Sequence, residues 1–96
     1  MTKTGYVYIL ASRPHGTLYI GVTSDLIKRV HQHREGAAPG YTKRYSVKEL
    51  VYFECFDEIE EAIRREKALK KWNRSWKIRL IEENNSAWRD LWSTLV

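Results

Sequence analysis

The chemistry this sequence can carry starts from a carboxylate in an apolar place. Read as a helix from residue 58, the chain lines up Ile59, Ala62, Ile63 and Leu69 along one stripe, and the stripe position between them is Glu66. An ionised carboxylate there is costly without a partner. Two readings stay open: a boundary glutamate that bends out to water or meets a distant arginine, and a metal ligand. Tyr8 and Tyr19 supply two phenols. If the chain between them folds about Arg13 and Pro14, Tyr8 lies across from Tyr19, with Gly21 beside them where another backbone can approach closely. Cross-strand aromatic packing explains the pair equally well. Arg29 and His33 are four residues apart and share one helical face. They flank a stripe of Leu26, Ile27 and Val30, a position from which a side chain reaches along a sheet edge. Seen singly, each reads as solvated surface.

These groups need a scaffold, and the flanking pattern provides one. Tyr6-Val7-Tyr8-Ile9-Leu10 and Leu18-Tyr19-Ile20-Gly21-Val22 are β-branched and aromatic runs around a Pro/Gly-containing stretch, which reads as a β-hairpin. Alternation puts Tyr6, Tyr8 and Leu10 on one face and Val7 and Ile9 on the other, and separates Tyr19 and Gly21 from Leu18, Ile20 and Val22. The third strand is Leu50 to Phe56. Thr23-Ser24-Asp25 signals a helix start and Gly36 a stop. Asp57, with Glu60 three residues on, caps a long helix. Trp72, Trp76 and Leu80 share a face at four-residue spacing and read as core. Trp88 and Leu91 anchor the tail. The expected fold is α/β (α+β), a small three-stranded antiparallel sheet with strands near 5–11, 17–22 and 48–56. Helices are expected near 24–35, 58–72 and 75–83. Residues 36–46 read as a loop in which Tyr41 and Tyr45 alternate with Lys43 and Arg44, a pattern suited to rings on bases and cations on phosphates.

At 96 residues the chain reads as one domain, residues 1–96, with a modest core. The net charge is +5, and it is uneven: the first fifty residues hold eight Lys and Arg against three Asp and Glu, while the remainder holds nine of each. A basic half suits a polyanion, nucleic acid first, although a merely soluble basic protein has the same balance. Lys28, Lys43 and Arg44 are the candidates for phosphate contacts, and affinity should fall steeply with salt. A single cysteine, Cys55, forms no internal disulfide and reads as a buried thiol in a reducing cytoplasm. No apolar run is long enough to span a bilayer, and no N-terminal signal pattern is present.

The ordered set of motifs resembles the GIY-YIG nuclease superfamily. The second half-motif is intact as Tyr19-Ile20-Gly21, and Tyr6-Val7-Tyr8 stands where Gly-Ile-Tyr gives the family its name. Arg29 follows Tyr19 by ten residues and matches the family's helix arginine; His33 matches its following His or Tyr; Glu66 matches its metal-binding glutamate. The stretch Arg64 to Trp72 and the Asn-x-x-Trp-x-Asp-Leu ending are similar to the small stand-alone bacterial branch, covering nearly the whole chain. Ser86 departs from the proline usual there, and Val22 from a lysine some members carry.

The resemblance implies an endonuclease-like fold and metal-dependent phosphodiester hydrolysis, with DNA put ahead of RNA as the partner and no membrane. Glu66 would hold a divalent ion such as Mg²⁺, completed by water and phosphate. Arg29 would stabilise the charged transition state. Tyr8 would act as base with Tyr19 as its partner, a neighbouring cation lowering the phenol from its usual value near 10, and His33 would relay the proton or orient Tyr8. Gly21 joins Lys28, Lys43 and Arg44 as a nucleic-acid-binding position, and Asn85 is an additional candidate for the family's C-terminal asparagine. All five catalytic candidates are expected to converge on one cleft. Two alternatives compete: a non-catalytic nucleic-acid-binding module on the same scaffold, and a protein-interaction domain using the Trp-rich C-terminal part.

Overall fold

The computed structural model describes residues 3–37 and 40–96. The β-branched and aromatic runs become β1 (Gly5–Ala11), β2 (Leu18–Thr23) and β3 (Glu49–Phe56), an antiparallel sheet in the order β2-β1-β3. The helices among the described residues are α1 (Leu26–Arg34), α2 (Tyr41–Arg44), α3 (Ile59–Lys71), α4 (Arg74–Asn84) and α5 (Trp92–Leu95). No helix among them is long and apolar enough to cross a membrane.

Alternation along the central strand builds two apolar layers. Val7, Ile9 and Ala11 meet Ile20, Val51, Ala62, Leu69 and Ile81 on one side, so α3 and α4 cover that face. Tyr8 and Leu10 meet Leu26, Val30, Val47 and Leu50 on the other, under α1. α3 enters very close to β1: a methyl group on Gly5 would lie 2.7 Å from the Ile59 Cα, and Ile59 N donates to Lys3 O at 2.7 Å. Arg65 then ties α3 to β3 through three bonds to Glu54, Nε to Oε1 and Nη2 to Oε2 at 3.0 Å and Nε to Oε2 at 3.3 Å.

The hairpin register differs from the expected one by two residues. Tyr8 pairs with Gly21, and Tyr19 with Leu10. The loop centres between Pro14 and His15 because Ser12 N donates to Thr17 O and Ser12 Oγ accepts from Thr17 N, closing the turn one residue later than supposed. A slip of two preserves the faces.

Several local expectations are corrected. The helix after β3 is capped at Glu58, not Asp57, and without a side-chain bond. Ile27 is 47% exposed; the buried stripe of α1 is Leu26, Val30 and His33. The 36–46 stretch is not all loop, since α2 forms within it; Ala38 and Pro39 lie outside the described residues. Trp72 ends α3 in an extended conformation, so it and Trp76 are on different helices. They meet edge to face at 5.9 Å, and Trp76 is 54% exposed rather than core. Cys55 is exposed on edge strand β3. The tail docks as expected: Trp88 is buried, and its Nε1 donates to Glu82 Oε2 at 2.9 Å.

Beyond Trp88 the chain braces α1. Asp90 accepts from Arg34 Nη1 at 2.5 Å, from Leu50 N at 3.2 Å and from Trp92 N at 3.1 Å. Leu91 N adds a bond to Leu50 O at 2.7 Å, and the Arg34 guanidinium lies over the Trp92 ring.

Candidate active site

Four of the five catalytic candidates meet on the α1 face of the sheet. Tyr8 points from the middle of β1 under α1, where it is 1% exposed. Its ring is 6.2 Å from Tyr19 and 5.8 Å from His33, and Tyr19 is 5.4 Å from His33, so three rings form one cluster. Tyr8 Oη lies 3.1 Å from His33 Nε2, and His33 Nδ1 lies 3.0 Å from Thr42 Oγ1. Arg29, one turn before His33, brings its guanidinium beside the Tyr8 phenol and bonds Gln32 Oε1 at 3.1 Å through Nη1. It also lines a polar cleft of about 390 Å³ with Thr23, Asp25, Lys28 and Gln32.

The imidazole is buried, contrary to the surface reading. Its place was legible in the i, i+4, i+7 spacing of Leu26, Val30 and His33. Thr42 gave no sequence signal, because its role depends on α2 folding back over α1. An imidazole that accepts from the phenol at Nε2 carries its proton on Nδ1, where Thr42 Oγ1 accepts it.

The electrostatics reverse one expectation. Burial pushes the Tyr8 phenol up to about 12; Arg29 pulls it down but does not offset the burial. Tyr8 therefore keeps its proton at neutral pH. Burial, and secondarily Arg29, hold His33 down to about 4, so the imidazole is neutral at pH 7. The unfolded chain binds this proton more tightly than the folded one. The stability contribution is thus complete above pH 6.5 and is lost as the pH falls toward 4, by at most about 3 kcal/mol. Denaturant melts from pH 4 to 7 should show a shallower acid loss for His33→Gln than for the unsubstituted protein; parallel curves would remove His33 as the cause.

Gly21 serves the site by what it lacks. A methyl group there would lie 2.4 Å from both Tyr8 Cζ and Tyr8 Oη, so the glycine is the floor under the phenol. The close approach that it permits is to Tyr8, its cross-strand partner. Gly21→Ala should cost about 1–3 kcal/mol in urea denaturation by overpacking, and an unchanged midpoint would contradict this contact.

Glu66 stands on the other layer. α3 covers the Val7 and Ile9 face, and the Glu66 side chain is only 13% exposed, with Lys70 Nζ 2.9 Å from its carboxylate. No hydrogen bond or ion pair joins it to the other four among the described residues. There, too, no group of three His, Cys, Asp or Glu could cage a metal ion. The donor set suits a hard cation that keeps water and gains phosphate oxygens: one sheltered carboxylate, whose partner Lys70 is 53% exposed and free to turn away.

Asn85 is committed elsewhere. Its Nδ2 donates to Val51 O at 3.0 Å and Arg89 O at 2.9 Å, and its Oδ1 accepts from Arg89 N at 3.0 Å. The β1–β3 register shifts between Ile9 and Leu10, leaving Val51 without an opposite residue. A bulged residue loses ladder partners, and Asn85 satisfies its carbonyl. Lys28 and Arg44 are exposed, as is Lys43, the last two on α2.

Residues 4–79 match the family model described as the GIY-YIG catalytic domain. A UPF0213 protein of Staphylococcus saprophyticus is 40% identical over 78 residues, spanning 81% of this chain and 94% of that protein. One of Haloquadratum walsbyi is 40% identical over 83 residues, spanning 86% and 92%. The solution NMR structure of a UPF0213 protein from Bacillus halodurans superposes with a TM-score of 0.57 at 31% identity, covering 91% of this chain and 92% of that one. The chain belongs to the GIY-YIG nuclease superfamily, in the small UPF0213 branch.

Proposed function

We propose that this protein is a divalent-metal-dependent endonuclease that hydrolyses phosphodiester bonds in DNA, directed to single strands or to structure rather than to sequence. The observation that carries the reading is the buried chain Tyr8–His33–Thr42 with Arg29 against the phenol. Packing alone does not require a guanidinium, a phenol and a neutral imidazole to meet.

A phosphate entering the cleft beside Lys28 and Arg29 neutralises the guanidinium and so removes the second cause of the low His33 pKa. The substrate thereby makes the imidazole a better acceptor. Water then attacks phosphorus, losing its proton to the Tyr8 oxygen as Tyr8 passes its own to His33 Nε2. Arg29 holds the charge that gathers on the non-bridging oxygens, and the bridging oxygen leaves with a proton from solvent. A divalent cation on Glu66 would polarise the phosphate and offset charge on the leaving oxygen. Among the described residues β2 is an edge strand, paired only with β1, so a backbone crossing that edge would address both layers. The exposed thiol of Cys55 suits a reducing cytoplasm.

The test is cleavage of a panel of single-stranded, nicked, branched and fully paired DNA with and without Mg²⁺. Metal-dependent cutting of the first three is expected. Binding without cutting under any divalent ion would favour the non-catalytic module, which the basic first half also supports.

A further inference from the structure

The ring cluster does not end in the core. Tyr41 lies 6.4 Å from Tyr19 and 5.0 Å from Tyr45, so the tyrosine rings run from buried Tyr8 out to the surface of α2. Tyr41 is 48% exposed and Tyr45 47%, among the largest apolar exposures in the described chain. The Arg44 guanidinium lies 5.6 Å from the Tyr45 ring centroid, and Lys43 is exposed on the same turn. Thr42, between the two cations and Tyr41, is buried against His33, which fixes the turn to the candidate site.

We infer that Tyr41 and Tyr45 form a stacking platform for an unpaired nucleobase next to the scissile phosphate, with Lys43 and Arg44 holding the adjoining phosphates. This rests on the nuclease reading and adds the form of the substrate. Half-exposed phenols present flat apolar faces, which a flat object covers best. Their continuity with Tyr19 makes that object part of the same ligand, and the cations make it anionic. A nucleotide has both properties, and every base offers a π-face. In a paired duplex that face is already stacked, so the platform selects a single strand or a frayed junction.

The experiment measures binding in EDTA, where cleavage does not intervene. The probes are single-stranded and fully paired oligonucleotides, of DNA and of RNA, carrying 2-aminopurine. The unsubstituted protein should quench 2-aminopurine in the single strand. Tyr41→Ala should weaken single-strand binding roughly ten-fold and abolish the quenching, while Tyr41→Phe keeps both and duplex affinity stays the same. Whichever sugar shows the larger Tyr41 dependence identifies the natural strand. Bound single strand with quenching and affinity unaffected by Tyr41→Ala and Tyr45→Ala together would overturn the platform and leave the nuclease reading standing. No binding of any oligonucleotide, either in EDTA or with Ca²⁺ in its place, would overturn both.

Discussion

Glu66→Ala should lower the rate of metal-dependent cleavage by about a thousand-fold or more, since a bound cation supplies several kcal/mol of transition-state stabilisation. The same substitution should leave the fold intact. Glu66 sits on the α3 stripe between Ala62 and Leu69, both fully buried. Its partner Lys70 is 53% exposed, so removing the carboxylate leaves that ammonium in water and orphans no buried charge. A methyl group in place of a carboxylate that is 13% exposed also removes a desolvation cost, and the melting temperature should hold or rise. Initial rates on the cleaved substrate, paired with thermal melts followed by circular dichroism, measure both halves. Undiminished cleavage by purified Glu66→Ala would place the metal on other residues, and a collapsed melt would make Glu66 a structural group instead.

Arg29→Ala should reduce kcat by about a hundred- to a thousand-fold with little change in KM, the pattern of a group that binds the transition state more tightly than the substrate. Ground-state phosphate binding is shared with Lys28 in the same cleft, which is why KM is expected to move little. A second signature follows from the electrostatics. Arg29 lowers both Tyr8 and His33, so its loss should raise the titration of both. The imidazole shift can be read by NMR without turnover. Arg29→Lys should recover only part of the rate, because an ammonium lacks the planar fork that grips two phosphate oxygens. A large rise in KM with kcat intact would demote Arg29 to ordinary binding.

The faces of the sheet were legible because period-two alternation survives a register error of two: Tyr8 and Tyr19 stay on one side whether the turn centres between Arg13 and Pro14 or between Pro14 and His15. What alternation cannot give is the partner. Gly21 reads as an opening to an outside backbone, and only the observed pairing shows that it receives the Tyr8 ring. His33, taken by itself, reads as surface for a different reason. A polar residue at i+7 of Leu26 and i+3 of Val30 lies on the buried stripe, but its burial is tolerable only with partners for both ring nitrogens. One of these, Thr42, lies in a stretch whose Gly and Pro residues signal loop. The tryptophans at 72 and 76 have helical spacing, yet Asn73 starts a new helix by accepting from Trp76 N, and the common face is lost. The fall of the Tyr8 phenol expected from a neighbouring cation could not be judged from the sequence. It depends on how completely β1 is covered, and burial outweighs Arg29.

The brace built by Asp90 separates recognition from rigidity. The stretch by which the family is recognised ends at residue 79, and every chemistry-bearing side chain, Tyr8, Tyr19, Arg29, His33, Thr42 and Glu66, falls within it. The carboxylate that clamps the last turn of α1 to β3, and the Asn85 amide that fills the Val51 bulge, both fall after it. A module excised at the matched boundary would carry a complete set of reactive groups on a helix whose Arg34 has lost its counter-ion, beside a strand with an open carbonyl. Moving this site into another protein therefore means moving the last seventeen residues with it.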